Sequence, residues 1–100
     1  MYSFTFNGTN CKNGEKSTKT YRLNDPFISI KKNGSFVREI NIECVDIDFP
    51  DYTAYVSINT YDFTIEVWYE PRHAYYSVSV DTISKISYEL KKINDLRLNH

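Results

Sequence analysis

One short segment, EVWYEPRHAYYSV at residues 66–78, holds the side chains with the greatest capacity for chemistry. His73 and the nearby Glu70 are residue types that serve as general acids and bases. Hydrolysis would also require an activated nucleophile, yet the chain has no G-x-S-x-G segment and no second histidine except His100 at its end. We therefore interpret His73 as a solvent-exposed hairpin residue and expect the protein not to be an enzyme.

The sequence contains no recognisable metal or cofactor motif. In the acidic run DIDFPD, Asp46, Asp48 and Asp51 do not have the spacing of an EF-hand loop, and the central glycine of such a loop is missing. Cys11 and Cys44 lack a C-x-x-C partner, and glycine-rich phosphate-binding patterns do not occur. We interpret the acidic run as a solvated strand end and the cysteines as free thiols, and we expect no metal and no cofactor.

Charge is distributed unevenly along the chain, although the formal net charge is only −1. Residues 1–38 carry seven basic side chains against two acidic ones, residues 39–81 carry one against nine, and residues 82–100 carry four against two. Such asymmetry is informative about the partner of a protein rather than about its fold. The acidic middle segment predicts a partner with a basic surface.

The N-terminal third also suits nucleic acid in two respects, because it is basic and it offers rings on which bases could stack. These rings are Tyr2, Phe4, Phe6 and Tyr21. Nucleic-acid-binding domains carry a strongly basic surface, however, and this chain as a whole is slightly acidic. We therefore do not expect nucleic acid to be the partner.

Alternating hydrophobic residues and turn signals predict strands through the first half of the chain. Residues 2–6 alternate as a strand, and residues 7–18, with two Asn-Gly pairs, are predicted to form a loop or a frayed hairpin. The Asn-Asp-Pro triplet at residues 24–26 predicts a turn, since the residue before a proline is disfavoured in the helical conformation.

Residues 27–42 give the strongest hairpin signal in the chain. A three-residue loop with Gly34 left-handed would place Ile30 opposite Phe36 and keep the isoleucines that follow on the same face. In this register Arg38 lies opposite Ile28 on the apolar side, where its stem could extend to solvent. We therefore predict a bulged three-residue loop.

Further strands are predicted at residues 53–58, 63–70 and 75–80, with a four-residue turn at 59–62. The apolar parity changes near Cys44 and Val45, which predicts a bulge there. The side chains predicted to point inward are Ala54, Val56, Ile58, Phe63, Ile65, Val67, Tyr69, Tyr76, Val78 and Val80.

The hydrophobic period changes to that of a helix near the C-terminus. Apolar residues recur at Ile83, Ile86, Leu90 and Ile93, and Asp81 is a suitable N-cap. The sequence thus predicts one α+β domain over residues 1–100, with an antiparallel sheet of about five to six strands, a meander of hairpins, in residues 1–80. One amphipathic helix at residues 81–98 packs on one face of that sheet.

A single helix covers only one face, so the other face must meet solvent or a partner. Large aromatic residues fall on that other face among carboxylates, and such residues dominate the binding energy of protein interfaces. The alternative is an aromatic pair that merely stabilises the hairpin. The residues that we predict to bind a partner are Trp68, Tyr75, Tyr55, Glu66, Glu70, Glu43 and Arg72.

We interpret the chain as a small non-enzymatic inhibitor that binds another protein through an acidic, aromatic sheet face. Its richness in Asn, Ile, Lys, Tyr and Ser is typical of AT-rich genomes and suits a phage or mobile-element antagonist of a host defence or toxin protein. The alternative is an oligomeric module that sequesters a small ligand, such as a signalling nucleotide, between aromatic and arginine side chains. Without a signal peptide or an apolar span in the sequence, we expect a cytoplasmic location and no membrane partner.

Overall fold

The computed structural model describes residues 2–34, 36–70 and 72–98, with only the backbone described for residues 24–27 and 97–98. In these residues six strands precede one helix, within the predicted range of about five to six strands. In chain order they are β1 (Tyr2–Asn10), β2 (Lys16–Asn33), β3 (Phe36–Asp46), β4 (Thr53–Asn59), β5 (Thr64–Tyr69), β6 (Arg72–Ser77) and α1 (Val80–Leu98).

The strands are antiparallel and follow one another in sequence order, and the sheet closes into a barrel. Closure is made by β1 and β6, where Thr9 lies opposite Ser77 and Asn10 opposite Tyr76. The predicted antiparallel sheet with a C-terminal helix is therefore confirmed, whereas the open meander is wrong. Closure removes the exposed edges that an open sheet presents for uncontrolled pairing.

Gly8 lies next to this closing seam and explains one error of the sequence analysis. The Asn7-Gly8 pair was interpreted as part of a loop, but β1 continues through it to Asn10. An added Cβ at Gly8 would lie 3.0 Å from Cβ of Tyr76 and 3.2 Å from the ring of Phe6. Glycine is required here for a close approach of side chains inside the barrel, and not for a turn.

The hydrophobic core lies between the inner face of the barrel and α1. Alternate residues of each strand point inward, as their period of two requires, and the apolar stripe of α1 is buried at its helical period. The helix contacts mainly β1 and β2. Buried core residues include Phe4, Phe6, Tyr21, Leu23, Ile40, Ile42, Ala54, Val56, Ile58, Ile65, Val67, Ile83, Ile86, Leu90 and Ile93.

The β2–β3 hairpin has a different register from the predicted one. Ile30 lies opposite Ile40 rather than Phe36, and Ile28 lies opposite Ile42. The loop has two residues, 34 and 35, of which Ser35 lies outside the described residues. Lys31 pairs with Glu39 and Lys32 pairs with Val37, so Arg38 is an extra, unpaired residue of β3. It therefore does not lie opposite an apolar residue of β2. Pairing isoleucine with isoleucine is the more favourable solution.

The turn predicted at residues 24–26 and the bulge predicted near Cys44 are also wrong. β2 runs without interruption from Lys16 to Asn33, and its register shifts between Arg22 and Phe27, across from Cys44. The irregularity therefore lies in β2, and β3 keeps its parity. Consequently Asp46 continues the inward series of this strand instead of pointing to solvent.

Three smaller predictions also need correction. Phe63 ends the β4–β5 turn with a left-handed φ of 58° and is partly exposed. Val80, predicted to point inward, is exposed at the start of α1. Ser79, rather than Asp81, caps the helix, because its hydroxyl accepts a hydrogen bond of 3.1 Å from the amide of Thr82.

Candidate functional site

The outer faces of β3, β4, β5 and β6 form two parallel rows of side chains. One row runs from Glu43 through Tyr55 and Trp68 to His73, and the other from Asn41 through Ser57 and Glu66 to Tyr75. The closed register fixes these neighbours, since each residue is directly opposite the next one in its row. We call Glu43, Tyr55, Glu66, Trp68, His73 and Tyr75 the outer patch.

The aromatic rings of the outer patch are largely uncovered. Trp68, Tyr55 and Tyr75 retain 58%, 50% and 47% of their accessible surface. The rings of Tyr55 and Trp68 are 6.3 Å apart with an interplanar angle of 43°, and those of His73 and Tyr75 are 4.8 Å apart. The structure therefore brings the predicted aromatic residues together on one surface, adjacent to two of the predicted carboxylates.

A shallow groove of about 340 Å³ follows the β3 side of the outer patch. Its polar rim includes Glu43 and Glu66, and its aromatic wall is formed by Tyr55 and Trp68. Within the described part of the chain, no cationic side chain forms an ion pair with Glu43. The groove thus presents aromatic and anionic groups to the same small volume.

Glu66 faces two residues of β6. Tyr75 lies directly opposite it, and Nε2 of His73 lies 2.6 Å from its Oε2 atom. The Tyr75 hydroxyl, followed by the contact with His73, lowers the pKa of Glu66 despite an opposing effect of burial, while the Glu66 carboxylate raises the pKa of Tyr75. Glu66 is therefore an oriented carboxylate at neutral pH.

The remaining two predicted interface residues lie apart from the groove. Glu70 is an exposed residue of the β5–β6 turn. Arg72 lies opposite Tyr69, and its guanidinium carbon is 4.5 Å from the centre of the Phe49 ring. Since Arg72 alternates with His73 along β6, it belongs to the opposite side of the strand from the outer patch. Pro71, the link between β5 and β6, is outside the described residues.

Sequence reasoning missed a second polar site, which lies where the β3–β4 loop covers one end of the barrel. Asp46 is 1% exposed, and its Oδ2 atom is 2.9 Å from Nζ of Lys19. Lys19 also donates a bond of 3.0 Å to Asp48, and the amide of Asp48 donates to Asp46 at 2.9 Å. The interpretation of Asp46 as part of a solvated strand end is therefore wrong.

Aromatic contacts complete this second site. Phe49 packs 5.7 Å from the ring of Tyr69, with Lys19 and Arg72 over its own ring. We call Lys19, Asp46, Asp48, Phe49 and Arg72 the ion-pair cluster. Burial alone lowers the pKa of Lys19, but its ion pair with Asp46 and its hydrogen bond to Asp48 more than offset that effect and raise it.

A signal for the ion-pair cluster was present in the sequence. Lys19 shares its parity with Tyr21 and Leu23, both buried, and Asp46 shares its parity with the buried Cys44. Two opposite charges on inward positions of neighbouring strands predict a buried ion pair. The predicted change of inward and outward parity in β3 near Cys44 placed Asp46 on the solvent side and so concealed this signal.

Other kinds of site find no support in the described ranges. There, no group of three or more His, Cys, Asp or Glu side chains could hold a metal ion. Burial raises the pKa of Cys44 to about 12, with Asp46 and Glu43 adding to the shift, so this thiol is protonated near neutral pH. As far as it is described, the helix does not contain an apolar stretch long enough to cross a membrane.

The outer patch is the only one of the two polar sites that leaves its aromatic rings open to a partner. Its chemistry suits the recognition of cationic groups by aromatic and carboxylate side chains. The comparisons with known proteins add nothing to this assignment: no family model, curated protein or solved structure matches the chain.

Proposed function

We propose that the protein is a non-enzymatic binding domain that covers a basic surface of another protein with its outer patch and thereby inhibits that protein. The observation that carries the proposal is the set of three half-exposed aromatic rings beside Glu43 and Glu66. Scattered exposed apolar residues are normal on a protein surface, but contiguous ones indicate an interaction site.

The residue types of the outer patch support this proposal. Tryptophan and tyrosine contribute large contact areas and lose little conformational entropy on binding, which is why they dominate interface energies. Glu43 and Glu66 add charge complementarity, which speeds the encounter with a basic surface and excludes acidic ones. A rigid sheet wall of this kind acts by occluding the surface that it covers.

Charge in the folded protein is less polarised than along the chain, because strands of opposite charge are neighbours. β2 lies beside β3, and Lys31 on β2 is 3.4 Å from Glu39 on β3. The basic segment therefore offsets part of the acidic segment near the hairpin. Further along β3 and on β5, Glu43 and Glu66 line the groove and offer acidic groups to a basic partner.

On the basis of amino-acid composition, the proposal includes a biological setting: a phage or mobile-element protein that antagonises a host defence or toxin protein. Sequestration of a small nucleotide by aromatic and arginine side chains gains less support. Arg72 lies over Phe49, on the opposite face of the sheet from Trp68. Arg72 and Trp68 therefore do not face a common ligand at the outer patch.

The test is affinity capture from a lysate of the host cell by three immobilised proteins: the wild type, Trp68→Ala and Tyr88→Ala. Tyr88 is a matched control, because it is 70% exposed but lies on α1, away from the outer patch. We expect the wild type and Tyr88→Ala to retain the same protein at low salt and to release it at high salt. Trp68→Ala should not retain it.

Mass spectrometry of the retained proteins and of heat-released small molecules decides between the proposals. Equal retention by wild type and Trp68→Ala would contradict binding through the outer patch. Release of a small molecule by the wild type in the absence of any protein partner would favour sequestration instead.

A further inference from the structure

We infer that the groove between β3 and β5 receives one arginine side chain of the partner, stacked on the Trp68 ring and bonded to Glu43 and Glu66. This inference rests on the proposed function and specifies the chemistry that the outer patch recognises. It follows from the shape of the groove, the placement of its charges and the state of its carboxylates.

The shape of the groove determines how a planar group can bind. The rings of Tyr55 and Trp68 are 6.3 Å apart and tilted by 43°, so they already contact each other and leave no parallel slot between them. A planar ligand must therefore lie on the open face of one ring. Trp68, at 58% exposure, provides the larger open face, and tryptophan is the best of the aromatic residues for cation–π contacts.

The carboxylates are placed around this face by strand register. Glu43 lies directly opposite Tyr55, and Glu66 precedes Trp68 by two residues on the same face of β5. Both line the groove together with the two rings. A cation stacked on Trp68 therefore has one carboxylate across the groove and one beside it along the strand.

The two carboxylates differ in a useful way. Oε2 of Glu66 lies 2.6 Å from Nε2 of His73, and this contact sets the direction of the carboxylate before any partner arrives. Glu43, within the described part of the chain, has no cationic partner and can turn toward an incoming donor. The oriented carboxylate of Glu66 can accept a hydrogen bond from a cation stacked on Trp68, and the adjustable carboxylate of Glu43 can then accept a second one.

Arginine fits this arrangement better than lysine does. Its guanidinium is planar, stacks on aromatic rings, and directs several N–H donors outward in the plane, toward carboxylates at the edge. The ammonium of lysine is a compact, strongly hydrated charge that cannot stack and bond along the edges at once. Anionic ligands would be repelled by Glu43 and Glu66.

Trp68 is the single tryptophan of the chain, and its fluorescence therefore reports on this groove alone. The experiment titrates the full-length protein with the blocked tripeptide acetyl-Gly-Arg-Gly-amide, and with the same peptide carrying lysine or citrulline. Citrulline matches arginine in shape but lacks the charge. The indole N–H resonance of Trp68 provides a second readout by NMR.

We expect a saturable response to the arginine peptide, with lysine and citrulline peptides binding at least about tenfold more weakly. Glu43→Gln should weaken the response to arginine, whereas Tyr88→Ala should leave it unchanged. Equal responses to arginine and citrulline, or no response to arginine at concentrations that saturate weak cation–π sites, would overturn the inference.

The capture experiment separates the failure of this inference from the failure of the proposed function. If Trp68→Ala loses the captured protein while the arginine peptide gives no response, the outer patch binds by another chemistry and only the arginine assignment falls. If Trp68→Ala retains the captured protein, the proposed function falls as well.

Discussion

The outer patch and the ion-pair cluster both combine aromatic rings with charged side chains, but they do so on opposite sides of the barrel wall. In the ion-pair cluster Lys19 lies within 3.0 Å of two carboxylates, and the ring of Phe49 is covered by cations. In the outer patch the rings of Tyr55 and Trp68 are about half exposed and Glu43 is exposed. Similar residue types thus serve the fold in one place and are available to a partner in the other.

Residue type alone therefore does not identify a binding site. Strand parity decides which side of the wall a side chain occupies, and closure of the barrel decides what covers it. A buried ion pair is weak evidence of net stabilisation, because desolvation offsets its attraction, but removal of one partner leaves the other charge buried.

The largest effect is expected for Asp46→Ala, which leaves the ammonium of Lys19 without its buried partner. We expect the free energy of unfolding to fall by about 3–5 kcal/mol, a large part of the roughly 5–15 kcal/mol typical of a domain. Urea unfolding measures this loss. Asp48→Ala is the matched control, since Asp48 is 59% exposed and its pair should contribute at most about 1 kcal/mol. Similar small losses for both variants would show that the ion-pair cluster is not structural.

Arg72→Ala should have the next largest effect on folding stability, and it tests to which region Arg72 belongs. Loss of its cation–π contact with Phe49 should lower the free energy of unfolding by about 0.5–1 kcal/mol. The Arg72→Ala variant should bind the captured partner with the affinity of the wild type, because the Arg72 side chain lies away from the outer patch. A variant with unchanged stability and weakened partner binding would instead return Arg72 to the interface, where the sequence analysis placed it.

Glu66→Gln should have the smallest effect, visible only as a change in pH dependence. The folded-state pKa of Glu66 lies below its ordinary value of 4.5, so its stabilising contribution is present above pH 4.5 and is lost as pH falls through the folded-state pKa. Wild-type stability should therefore decline more steeply in acid than that of Glu66→Gln. Because Glu66 is partly exposed, the difference should stay below about 1 kcal/mol.

The measurement is urea unfolding of both proteins from neutral to acidic pH. His73 and Tyr75 face Glu66 from β6 and are present in both proteins, so only the carboxylate differs. Parallel pH profiles would show that these contacts contribute nothing to folding stability.

Much of the fold could be predicted from hydrophobic periodicity. Alternation in the segment from Thr53 to Tyr69 and the helical spacing of Ile83, Ile86 and Leu90 are strong local signals, and the structure confirms both. The same alternation assigned Trp68 and Tyr75 to the outer face. The local signal was sufficient within β4 and β5 because one register buries the apolar positions of both strands, whereas Phe63 in the turn between them was mispredicted.

The remaining features depend on contacts between residues distant in sequence. Closure at Thr9 and Ser77 joins the two ends of the sheet, and no local pattern encodes it. The β2–β3 register was mispredicted because a bulge at Arg38 was not distinguished from a longer loop. Likewise, the contact of Glu66 with His73 required the β5–β6 register, which Pro71 in the link obscured.

The interface role of the outer patch is tested most directly by the affinity of the captured partner for the wild type, Trp68→Ala and Tyr88→Ala, each first shown to be folded. We predict that Trp68→Ala binds at least about 30-fold more weakly, which corresponds to a hot spot of about 2 kcal/mol or more. Tyr88→Ala should bind like the wild type. Unchanged affinity of Trp68→Ala, or an equal loss in both variants, would contradict the assignment of the outer patch as the interface.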